Sequence, residues 1–172
     1  MMAEASASGF SDPVTERIAR FIRGIGLRIR HGEIAGPTIL PGIFIDHGAI
    51  VVDEARLRFP GDLLHEAGHL AVVPPRRRQE IHGNAGSDPA EEMMAIAWSY
   101  AAALHIGLDP AVLFHDDYKG GGAAILAAFT TGPGFGVPML QWLGLAFRRS
   151  PEDPPDAPTF PKMRRWLRED DV

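Results

Sequence analysis

Apolar and polar positions recur along the chain with two different periods, and the changes of period divide it into elements. Residues 1–10 are small and polar and are expected to be disordered. Asp12-Pro13 then supplies a cap followed by a first-turn proline. Ile18, Phe21, Ile22, Ile25 and Ile29 follow at helical spacing, with Arg17, Arg20 and Arg23 between them. This predicts an amphipathic helix over 13–30, packed on a domain core rather than on a membrane, and weakened locally by Gly24 and Gly26. After a loop over 31–37 the period changes to that of strands. Two β-prone runs, 39–45 and 49–53, flank Asp46-His47-Gly48 and predict a hairpin whose second strand continues through 54–59 into the next helix. His47 is read as a solvated turn residue.

The segment 62–73 has the apolar content of a buried helix, with Pro60 ahead of it and Pro74-Pro75 stopping it. Arg76-Arg77-Arg78-Gln79-Glu80 reads as a solvated charge run in a loop. Asp88-Pro89 opens a second helix ending near Gly107. Nothing is charged from Met93 to Leu104, so this helix should be buried on most sides, with Glu91 and Glu92 at its entrance. A short helical turn follows Asp109-Pro110, and 115–122 is a polar, glycine-rich loop. The uncharged run 120–147 is long enough to raise the question of a membrane span, but Gly132-Pro133-Gly134 breaks it into two pieces too short to cross. Two buried helices joined by a turn are expected instead. The pattern predicts an α+β fold in which a small sheet with an antiparallel hairpin packs on the 62–73 helix and the C-terminal part is mostly helical. One domain spans 11–149, and a Pro-rich tail over 150–172 carries a short terminal helix at 162–168.

Composition narrows the chemistry. With 172 residues, 45% of them hydrophobic and 23% charged, the chain can bury a sizeable core. A net charge of -5 argues against nucleic acid as a partner. The chain has no cysteine, which removes disulfides, thiol catalysis and Cys-based zinc sites, so a metal must be held by His and carboxylates. Residues 1–9 have neither a basic region nor an apolar run, so no signal peptide is visible and a cytoplasmic location is expected.

The segment His65-Glu66-Ala67-Gly68-His69 is an H-E-x-x-H pattern. Histidines four apart on a helix project from one face and can converge on one zinc ion, with Glu66 beside them as general base. A catalytic zinc usually takes a third protein ligand. The extended H-E-x-x-H-x-x-G-x-x-H pattern is excluded, because Val72 and Pro75 stand where its glycine and third histidine would be. A ligand from a second rigid helix points to Glu91 or Glu92. Glu92 is preferred because Ala95, Ser99 and Ala103 on its face are small enough to let two helices approach closely; the other acid is then expected to be a solvated helix N-terminal residue. For the oxyanion, His115, Tyr118 and His82 have suitable chemistry, and spacing selects none of them.

The hairpin 41–53, the His65-Glu66-Ala67-Gly68-His69 helix and the later helix beginning Glu92-Met93-Met94-Ala95 together resemble the ImmA/IrrE group of gluzincin-type metallopeptidases. The resemblance covers roughly 40–105 and rests on the glycine before the second histidine and the Glu-x-x-Ala helix; Trp98-Ser99-Tyr100-Ala101 departs from the family's phenylalanine and alanine run. It implies a zincin fold and a zinc peptidase, often regulatory, acting on a peptide or protein such as a transcriptional regulator. In that reading His65, His69 and Glu92 are ligands and Glu66 is the base. The rival class is a binding or regulatory module that keeps the zincin fold, with or without the metal, and cleaves nothing.

Overall fold

In the computed structural model, which describes residues 9–170, seven helices accompany a three-stranded mixed sheet, with the first two helices packed against it. Helix α1, Pro13–Gly24, begins where Asp12 accepts from the Thr15 amide and proline occupies the first turn. It ends earlier than the periodicity predicts. Gly26 takes φ +100°, and the Gly26 and Leu27 amides donate back to the carbonyls of Arg23 and Ile22, closing the helix with a glycine cap. Apolar Ile29 therefore belongs not to the helix but to strand β1, Arg28–His31. Phe10, at the edge of the segment expected to be disordered, is buried and stacks on His31, whereas residues 1–8 lie outside the described residues.

Strands β2, Ile43–Asp46, and β3, Ala49–Val52, form the expected hairpin; β2 starts four residues later than its β-prone run and β3 ends one residue earlier. Two-residue turns that match strand twist need left-handed backbone, and His47 (φ 46°) and Gly48 (φ 76°) supply it. β3 is central, antiparallel to β2 and parallel to β1, and all four of its residues are buried. Beyond Val52 the chain turns, with the Arg56 and Leu57 amides donating to the Asp53 carbonyl, so β3 does not continue to Phe59.

Every residue of helix α2, Asp62–Val72, is buried, because α2 lies between the sheet and helix α4, Pro89–His105. A Cβ placed on Gly68 would lie 2.8 Å from the Ala95 carbonyl oxygen and 3.1 Å from its Cα. The missing side chain is what lets α2 and α4 touch backbone to backbone.

The arginine run is exposed at Arg76 and Arg77, as expected, but it is not a loop. It forms helix α3, Pro75–Arg78, in which Arg77 pairs with Glu91 while Arg78 donates to the carbonyls of Leu70 (2.6 Å) and Arg168 (2.9 Å). Arg78 thus satisfies a carbonyl in the last turn of α2, which has no following helical amide to accept from.

After α5, Pro110–Leu113, helices α6, Gly122–Thr130, and α7, Val137–Trp142, occupy the two halves of the uncharged run, and no helix among the described residues is long and apolar enough to cross a membrane. The expected helix at 162–168 does not form. A single isolated helical turn makes too few bonds to offset its nucleation. The backbone instead bonds the domain, with the Arg164 amide on Leu145 (2.8 Å) and the Arg168 amide on Ala71 (2.9 Å). Trp166 closes this segment over Phe21 and Trp98, and the Trp98 indole donates to its carbonyl, so the tail is part of the packed unit.

Candidate metal centre

α2 carries His65 and His69 one turn apart on the face that meets α4, and the first turn of α4 brings Glu92 opposite them. The two Nε2 atoms are 3.2 Å apart, His65 Nε2 is 3.5 Å from Glu92 Oε1, and His69 Nε2 is 2.9 Å from Glu92 Oε2. A tetrahedral ion with bonds of ~2.0–2.1 Å needs ligand atoms about 3.3–3.4 Å apart. The donor set therefore fits zinc in both type and spacing. The small face predicted for α4 accounts for the approach: Ala95, Ser99 and Ala103 are fully buried against their neighbours.

Glu91 lies one residue away and points elsewhere. It is buried rather than solvated, and its carboxylate is clamped by the Arg77 guanidinium. A buried carboxylate needs such a partner, so the charge run and the acid explain each other.

Burial and the neighbouring His69 lower the His65 pKa to about 4, which keeps the imidazole neutral and its lone pair available. The hydrogen bond from His69 holds the Glu92 carboxyl below its ordinary range. Burial pushes Glu66 the other way, up to about 7. Three buried side-chain polar atoms lack a partner among the described residues, Glu66 Oε2, His69 Nδ1 and His115 Nδ1, and all three belong to this site. Unpaired buried polar atoms are rare in a settled core, and their concentration here marks a place built for something other than stability.

The oxyanion candidates separate. Tyr118 Oη sits 2.7 Å from His65 Nδ1, behind the ligand ring, in the place where metal-site histidines are usually oriented by an outer partner. With Nε2 on a metal, Nδ1 carries the ring proton and donates it to Tyr118, leaving the phenol hydrogen free to point into the cleft. His115 Nε2 bonds Asp62 Oδ1 at 2.8 Å, and its ring stacks on Phe59 with centroids 3.7 Å apart. His82 is not here at all; it stands beside His47 at the far end of β2. Sequence reading missed Asp62, although it lies three residues before His65 and four before Glu66, on the same face of α2.

His65, Glu66, His69 and Glu92 line the floor of a cleft of about 900 Å³. Its lining is apolar at Ile39, Pro41, Ile43 and Ile45 and charged at Arg58, Asp117 and Lys119. Residues 83–87 line it as well. Comparison of the chain with protein-family models, with curated proteins and with solved structures returns no match. Function is therefore argued from these side chains.

Proposed function

We propose that the chain is a zinc-dependent peptidase of the zincin type, with His65, His69 and Glu92 as ligands and Glu66 as general base. The observation that carries the reading is the convergence of three ligand atoms at tetrahedral spacing beside a buried carboxyl with an unpaired oxygen, on the floor of a cleft. Zinc bound there would supply Lewis acidity toward the scissile carbonyl and the attacking water. Glu66, with a pKa near neutrality, takes the proton of that water and returns it to the departing amine. Asp62 holds His115 in one orientation and the Tyr118 hydroxyl fixes the His65 ring from behind; of the two, His115, which lines the cleft, can donate to the developing oxyanion, and Tyr118 is a positioning residue.

The apolar part of the lining, with Ile39 77% exposed, suits an extended peptide with hydrophobic side chains. The ImmA/IrrE resemblance suggests a transcriptional regulator as the protein substrate. The test is peptide and protein hydrolysis by the zinc-loaded chain and by Glu66→Gln. Hydrolysis should fall by at least the ~10²-fold typical of losing a general base, with zinc content unchanged. A zinc-loaded parent that cuts nothing in a broad protein library would make the chain a non-catalytic binding module.

A further inference from the structure

A second group of metal-type donors lies outside the cleft, at the far end of the hairpin. Asp46 ends β2, His47 is the first residue of the β2–β3 turn, and His82 comes from the loop that follows α3. His47 Nδ1 and His82 Nδ1 face each other at 3.1 Å, and Asp46 Oδ1 lies 3.7 Å from the first and 3.5 Å from the second. These separations again bracket the edge of about 3.3–3.4 Å that a tetrahedral ion requires.

Each donor is aimed by something other than its neighbours. The left-handed backbone of the turn, which histidine tolerates better than most residues, turns the His47 ring toward the loop. Phe44 meets the His82 ring edge-on, with centroids 5.1 Å apart. Arg30 of β1 bonds Asp46 Oδ2 at 2.8 Å and leaves Oδ1 to face the two imidazoles. Without a cation, two Nδ1 atoms this close must share one proton; a metal replaces that proton and binds both lone pairs.

We propose that Asp46, His47 and His82 form a second site for a divalent transition metal, in which the ion ties the loop over 81–87 to the hairpin. Two imidazoles and one carboxylate suit zinc, cobalt or nickel rather than calcium or magnesium. The site is exposed, so affinity is lower than at the buried centre and exchange with solvent is fast. Its position gives it a consequence for the cleft. The loop is held to β2 by the Gly83 amide on the Ile45 carbonyl (2.8 Å), and to the turn by the Gly48 amide on the Ile81 carbonyl (3.0 Å). Gly83, Asn84, Ala85 and Gly86 line the cleft, and the loop leads directly into α4, which bears Glu92. An ion on His82 pins this wall at its root.

The experiment is equilibrium dialysis of the untagged full chain against micromolar free zinc, with bound metal counted for the parent, His82→Ala and His47→Asn. Asparagine keeps the left-handed turn while removing the imidazole donor. Circular dichroism checks that the variants fold. The readout is the difference between parent and variant, so it holds whether or not the buried centre is loaded. Each variant should bind one equivalent less than the parent, and zinc should slow amide exchange over 83–87 in the parent alone. Equal zinc content in parent and both variants, or an exchange pattern over 83–87 that zinc leaves unchanged, overturns the site.

Discussion

The two donor clusters use the same chemistry, two imidazoles and one carboxylate, at nearly the same spacing, yet they are built in opposite ways. His65, His69 and Glu92 stand on two long helices in backbone contact at Gly68 and Ala95, and both histidines are buried. Asp46, His47 and His82 stand on a strand end, a turn and a loop with side chains 41%, 65% and 51% exposed. At the first centre, ligand position is a property of core packing, and the cost of moving a ligand is the cost of repacking α2 on α4. At the second, it is set by a few backbone bonds that open at little cost. Burial also changes what the neighbours can do, since only in the cleft floor is a carboxyl, that of Glu66, driven to about 7. The same donor types thus offer a catalytic candidate in one setting and, as proposed above, an exchangeable clasp in the other.

The contrast can be broken by substitution. The largest effect is expected from His69→Ala, which removes one of three ligands and should abolish metal retention at the buried centre through dialysis while leaving the exposed equivalent in place. Gly68→Ala comes next. Its methyl would meet the Ala95 backbone, so the helices must separate and carry Glu92 away from the histidines. A loss of about 1–3 kcal/mol in denaturant unfolding, together with weaker zinc binding, is expected. Unchanged stability would mean that the helix contact is not tight. Tyr118→Phe removes only the hydroxyl behind His65 and should weaken zinc at the buried centre about 10–100-fold in chelator competition, with the exposed site unaffected. The smallest effect is that of His82→Ala on metal-free stability, expected within ~0.5 kcal/mol because the side chain is on the surface.

How much of this was visible in the sequence follows the same division. The convergence of His65, His69 and Glu92 was legible because helical period places the two histidines on one face with Glu66 beside them and because the small face of α4 favours Glu92 over Glu91. Glycine at position 68 entered only as part of a resemblance, and the closeness of the Ala95 backbone supplies its physical reason. What failed to show were pairings over long sequence separation. Arg77 and Glu91 each looked like a surface charge until folding put them together, and His47 is the solvated turn residue expected, but the approach of His82 to it spans 35 positions. β1 was hidden for a different reason: Ile29 continues the helical spacing of α1, so apolar period alone could not register the stop at Gly26. The tail read as a terminal helix, because its bonds to Leu145 and Ala71 are long-range and leave no local signal.

In the proposed mechanism Glu66 does chemistry beside a metal that it does not bind. The most direct measurement is zinc content and peptide hydrolysis, taken together on the parent and on Glu66→Gln. The account predicts about one tightly held zinc in both proteins and hydrolysis reduced at least ~10²-fold in the variant. Hydrolysis that survives the substitution, or tightly held zinc that disappears with it, would contradict the assignment of Glu66 as the base.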